Sequence, residues 1–305
     1  MLRTGLLFLF LFTGTLLYAL DPVTRFPQCT ESFLLFRIAP LQKLPFAGVF
    51  EKNTILGNIE QNAEALAPFH ADPGIQTAAV LYAGDDCVFL LKSPLTPGMV
   101  RQITEKKLLG GNGTAPETFT VGEITCLRFR EDQQEELPSG LREIKAAVIA
   151  FTGKEECMIG PEKTVRRFLA SPKGLTPELK HVFAALRKEY AACGILQTKE
   201  ISLVPGIQHT KAVAFSFSRM EGLPSPVTGE LLLFPSAQEK YAVLHKSARD
   251  FIANAYRTAG KKGPISPEMR YAFQVMPAPG FVRIDAALTD ENAKDFFRLL
   301  LEQLK

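Results

Sequence analysis

Residues 80–108 read VLYAGDDCVFLLKSPLTPGMVRQITEKKL. Apolar residues fill both arms around Ala83-Gly84-Asp85-Asp86, four residues of turn chemistry. Ile75–Tyr82 and Cys87–Leu91 are therefore expected as the two strands of a hairpin. Thr96-Pro97 follows, a hydroxyl at a cap position and a proline whose fixed φ suits the first helical residue. A helix is expected from there, with Val100 and Ile103 facing inward. A hairpin followed at once by a helix buries one sheet face and one helix stripe together, which makes it the unit of a two-layer α+β protein.

The same order recurs near the C-terminus. An ungapped offset of 193 residues aligns Val80 with Phe273, Tyr82 with Val275, Phe89 with Val282, Leu91 with Ile284, and Leu95-Thr96 with Leu288-Thr289. Phe273–Leu301 is thus expected to be a second β-β-α segment, with its reversal at Pro277–Gly280. Its helix starts at Thr289, carries Asp290 and Glu291 in the first turn, and turns Ala293, Phe296, Phe297 and Leu300 inward. Ala146–Leu169 is a shorter third example. The fold class expected is α+β, two domains of antiparallel sheet covered by helices and related by duplication of this unit. The domains are placed at 21–193 and 195–305, with the boundary near Cys193 to Thr210. This order of elements resembles uncharacterised exported bacterial envelope proteins built from β-β-α repeats. The resemblance implies an envelope setting and brings no activity with it.

Between these anchors, Phe33–Ile38 is a short apolar run and a strand. Asn53 caps a helix with Ile55, Leu56, Ile59, Ala63 and Leu66 on one stripe. Phe119–Arg130 reads as β structure. Gly160-Pro161 opens a helix with Val165, Phe168 and Leu169 on one side. Thr176-Pro177 opens another, with Leu179, Val182, Phe183, Leu186 and Tyr190 as its stripe and Cys193-Gly194 as its stop. Ile195–Val204, Ala212–Phe217 and Glu230–Phe234 are expected as strands. Ser236 with Glu239 forms a capping box for the longest helix.

At the N-terminus, Arg3 precedes an apolar stretch from Gly5 to Leu20 that Asp21-Pro22 terminates. This is the length of a signal h-region and short of a bilayer span. Residues 1–20 are expected to be a signal peptide, the protein exported to the periplasm or beyond, and any membrane contact confined to this segment if it stays uncleaved.

The 305 residues are 46% hydrophobic and 22% charged, with a formal net charge of +3. A sizeable core is expected, and no basic stripe points to nucleic acid. The five cysteines (Cys29, Cys87, Cys126, Cys157 and Cys193) include no C-x-x-C, so neither a zinc knuckle nor a redox pair is expected. An odd count leaves at least one thiol unpaired, and spacing does not settle the connectivity of the rest. No G-x-S-x-G elbow, Walker A loop, G-x-G-x-x-G after a strand, or H-E-x-x-H occurs. His70, His181, His209 and His245 are scattered singly. His245 lies at the edge of the long helix's stripe, where Glu230 could approach it. Asn112-Gly113-Thr114 matches a glycosylation sequon. No catalytic, metal or cofactor residue is nominated, and no cofactor is expected. The reading is an exported non-enzymatic protein that binds or assembles in the cell envelope or periplasm, its partner unknown. An exported hydrolase with a site assembled from distant residues is one alternative. A carrier whose cavity is lined by some of the 23 phenylalanines is another.

Overall fold

The computed structural model describes residues 22–45, 76–105, 115–130, 148–186, 189–197, 209–223, 226–262 and 271–295. The expected signal segment, the Asn53 helix, His70, the sequon and Phe296 onward lie outside them. The chain divides into two compact units, Met1–Gln42 with Phe50–Pro177 and Lys43–Val49 with Glu178–Lys305. Antiparallel sheet dominates both, with a few helices, so the class is α+β.

In the first unit the elements are β1 (Ser32–Arg37), α1 (Ile38–Gln42), β2 (Thr77–Ala83), β3 (Asp86–Lys92), α2 (Pro97–Glu105), β4 (Glu117–Val121), β5 (Ile124–Arg128), β6 (Val148–Gly153), β7 (Glu156–Gly160) and α3 (Glu162–Ala170). The strands lie side by side as β1-β2-β3-β7-β6-β5-β4, every neighbouring pair antiparallel. β1 and β2 are near-continuous apolar runs because both of their faces are buried. The hairpin expected in residues 80–108 is present, and β2 and β3 turn through Gly84-Asp85. The Met99 amide donates to Thr96 Oγ1 at 3.2 Å, so the expected cap on α2 forms. β4 and β5 reverse at Gly122-Glu123 and divide what the sequence offered as one β stretch. α3 buries Val165 and Phe168.

The second unit contains α4 (Pro177–Ala184), β8 (Ala192–Gln197), β9 (Thr210–Arg219), β10 (Val227–Pro235), α5 (Tyr241–Lys262), β11 (Phe273–Ala278) and β12 (Phe281–Leu288). Its strands lie in the order β11-β12-β10-β9-β8, again antiparallel throughout. Leu244 and Ala248 of α5 pack on Val213, Leu233, Val282 and Ile284. Tyr241 ties the start of this helix to β11, its hydroxyl bonded to both the amide and the carbonyl of Ala278. Gly229 has a packing reason to be glycine: a Cβ there would sit 2.9 Å from the Phe217 ring, which lies across it.

Three expectations change. Cys193-Gly194 does not stop a helix. α4 ends at Ala184, and residues 192–197 all pair with β9, so they belong to the second unit. Cross-strand bonding overrides the apolar stripe that suggested a longer helix. The capping box at Ser236 and Glu239 does not form. The Ser236 amide donates to the His209 carbonyl, and a 3-10 turn over Gln238–Lys240 leads into α5 with no side-chain cap. The third change concerns the echo. Both copies are hairpins, and helix follows β12 from Asp290. However, the 193-residue offset would set Phe273 opposite Val282, as Val80 faces Phe89, and Phe273 instead faces Ala286. The second reversal falls two residues later, at Pro279-Gly280. Gly280 supplies the left-handed φ of 83° there.

Candidate functional site

Four polar residues stand in one register row across the first unit. Arg37 faces Thr77, Thr77 faces Lys92, and Lys92 faces Glu156. Two residues along, Leu35, Ala79, Leu90 and Met158 form the next row. Side chains alternate along a strand, so both rows project from the same sheet face. The result is an apolar floor with a charged margin at its end.

A short N-terminal segment comes over this face. Pro22–Arg25 is a 3-10 turn, and Phe26 meets Phe33 edge to face at 5.1 Å. Backbone bonds hold the segment beside the end of α3: Gly174 N–H to the Phe26 carbonyl at 2.6 Å, and Gln28 N–H to the Pro172 carbonyl at 2.8 Å. The Cys29 amide also donates to Ser171 Oγ. So placed, Arg25 Nη1 donates to Glu156 Oε2 at 3.3 Å, and Thr152 Oγ1 donates to Glu156 Oε1 at 2.7 Å. The Glu156 side chain is 11% exposed and that of Arg25 38%.

Between segment and sheet lies a cleft of about 350 Å³, open solvent at its mouth included, of which about 20 Å³ can hold the centre of a water molecule. Phe26, Leu35, Ala79 and Leu90 supply its apolar wall, and Arg25, Lys92, Thr77 and Glu156 its polar rim. Both oxygens of Glu156 are engaged. Neither the Lys92 ammonium nor the Thr77 hydroxyl has a hydrogen-bond partner among the described residues. Such a site can hold a small polar group by charge and hydrogen bonding. The Thr152 hydroxyl, which pairs with Glu156, lies outside the cleft lining.

A second polar row crosses the second unit. Ser216, Glu230 and Asp285 are cross-strand neighbours. The fully buried Glu230 carboxylate accepts from Ser216 Oγ at 2.8 Å and from Arg283 Nη2 at 2.8 Å, and Arg283 Nε donates to Asp285. Strand alternation puts Glu230 on the face opposite Leu231 and Leu233, which meet α5. Glu230 therefore does not approach His245. That histidine keeps Nε2 buried with no partner among the described residues. His181 and His209 are exposed on α4 and before β9. The cysteines form no disulfide, and Cys126, Cys157 and Cys193 are buried in strands. Among the described residues no group of His, Cys, Asp and Glu could hold a metal ion, and no helix is long and apolar enough to cross a membrane.

The sequence reading nominated none of the cleft residues. Its available signal was positional: Arg37 and Lys92 end otherwise apolar strands, and Glu156 begins one. Which of these termini share one edge of the sheet depends on pairing, which the local pattern does not encode.

Fold and cleft together define a class: an α+β protein of antiparallel sheets, with a small charged cleft in its first unit. Neither a protein-family model nor a curated protein matches the chain. Among solved structures, crystal form IV of TP0453 aligns with a TM-score of 0.47 at 7% identity, covering 90% of this chain and 96% of that one.

Proposed function

We propose that the protein is exported and works in the cell envelope or periplasm by binding rather than by catalysis. The cleft of the first unit carries this reading. Its charged groups form a rim around an apolar wall, and Glu156, the carboxylate it has among the described residues, is already fixed by Arg25 and Thr152. A general base needs a nucleophile or substrate proton within reach, and the hydroxyl that Glu156 holds, Thr152, lies outside the cleft lining. The buried carboxylate of the second unit is likewise spent on Ser216 and Arg283. The export half of the reading rests on residues 1–20, a positive charge and an apolar run that end at Asp21-Pro22. A carrier of a large apolar ligand draws no support from this cleft, because such sites enclose several hundred Å³, roughly 300 or more, of sheltered space.

The export half is tested by fusing residues 1–24 to a reporter enzyme that matures only outside the cytoplasm. Activity of the fusion, lost when Leu9 and Leu11 are changed to Lys, is the expected result. An inactive reporter, or one indifferent to those changes, overturns it.

A further inference from the structure

We propose that the cleft binds the carboxylate of a small monoanion with a short apolar chain. This rests on the reading of the cleft as a binding site and adds the class of ligand. Three observations lead to it. First, Arg25 and Lys92 outnumber Glu156 on the rim, which leaves one net positive charge. Second, the donors are unequally used. Arg25 gives Nη1 to Glu156, and the rest of its fork, with the Lys92 ammonium and the Thr77 hydroxyl, has no other partner among the described residues. A guanidinium fork matches the two oxygens of a carboxylate, and an ammonium adds a charge-assisted bond. Third, the wall behind these donors is apolar. Leu35, Ala79 and Leu90 come from three adjacent strands in one row, so a chain attached to the carboxylate meets hydrocarbon rather than water.

The same geometry sets the limits on polarity and size. A rim with one net positive charge attracts a dianion as well as a monoanion, so phosphate is disfavoured by the apolar wall, against which it has no hydrocarbon to bury. The sheltered space takes little more than one head-group oxygen, so a short chain lies in the open mouth against Leu35, Ala79 and Leu90, where a long acyl tail finds no cover.

The test is a ligand-observed NMR titration of the chain from Asp21 with butyrate, butanol and inorganic phosphate in parallel. Butyrate should bind with a Kd near or below about 1 mM, and butanol and phosphate at least roughly tenfold more weakly, since each lacks either the charge or the apolar part. Lys92→Met should weaken butyrate about tenfold, the order expected when one charge-assisted bond is lost. Unfolding temperature serves as the folding control. It should not change, because the Lys92 side chain bonds to no described residue. Phosphate binding that depends on Lys92, without butyrate binding, overturns the ligand class and leaves the cleft as a binding site. No binding by either anion up to about 10 mM, or butyrate binding indifferent to Lys92→Met, overturns the cleft as well. The export reporter is unaffected by any of these outcomes.

Discussion

Glu162, the first residue of α3, is a carboxylate shared by three elements. It accepts from Arg128 Nε at 2.8 Å and Arg128 Nη2 at 2.7 Å, and also from Arg166 one helical turn on. Arg128 reaches Glu117 on β4, and both guanidiniums lie over the Phe119 ring, at 4.5 and 5.0 Å from its centroid. The hydrogen bonds from Arg128, then those from Arg166, lower the Glu162 pKa to about 2. A carboxylate whose folded pKa is depressed contributes stability above its ordinary value and loses it as pH falls through the folded one. The contribution is therefore present at neutral pH and disappears between about pH 5 and 2. Asp290, held down by Arg219, titrates in the same sense. For a part-exposed cluster it amounts to about 1 kcal/mol. Glu162→Gln should lower stability by that amount at pH 7 and flatten the fall below pH 5, as read from urea unfolding at stepped pH. An unaltered acid limb would assign it to other groups. Glu162 and Arg166 pair at i,i+4 along the helix, a contact the sequence reading did not nominate. The Arg128 contact spans 34 residues, so it becomes visible only once β5 is placed.

At the scale of elements, hairpins with strongly marked turns were legible, and helix ends and the β4–β5 reversal less so. Turn residues act on two or three neighbours, so Gly84-Asp85 could be located from the chain alone. The Ser236 cap failed because the competing partner of its amide, the His209 carbonyl, comes from the residue before the paired strand β9. The polar row of the second unit was invisible for a related reason. Glu230 sits in an apolar run, VTGELLLFP, and its partners belong to β9 and β12. That row carries a sharp expectation. Arg283→Met removes the charge opposite a fully buried carboxylate and should destabilise by about 3–5 kcal/mol, whereas adding Glu230→Gln should recover much of the loss. Denaturant midpoints of the two variants check this. Equal stability of single and double variants would mean that the Glu230–Arg283 pair is not coupled in this way.

For the molecule as a whole, the sequence conveyed the α+β class. It did not convey β8, which was hidden beneath what looked like the end of a helix. The thiols are a molecule-wide property. Burial pushes Cys157 up to about 12 and raises Cys87 and Cys126 as well, which keeps these groups protonated and unreactive at neutral pH. Protein purified without reductant should therefore release five titratable thiols on denaturation, while native protein reacts slowly and chiefly at Cys29, one of the two cysteines that are not fully buried. Colorimetric thiol counting decides it, and fewer than five in the denatured sample would reveal a disulfide.

The strand order also sets a timetable. In the first unit, β2 with β3, β4 with β5, and β6 with β7 join through two-residue reversals, and such hairpins close in about 1–10 μs. The pairing of β3 with β7 brings together Phe89 and Ile159, 70 residues apart. Closing so long a loop carries an entropy penalty before any contact repays it. A chain that leaves the ribosome N-terminus first can acquire its local hairpins early. The sheet of the first unit closes only when the segment around Ile159 has emerged, so that step waits for roughly the first half of the chain.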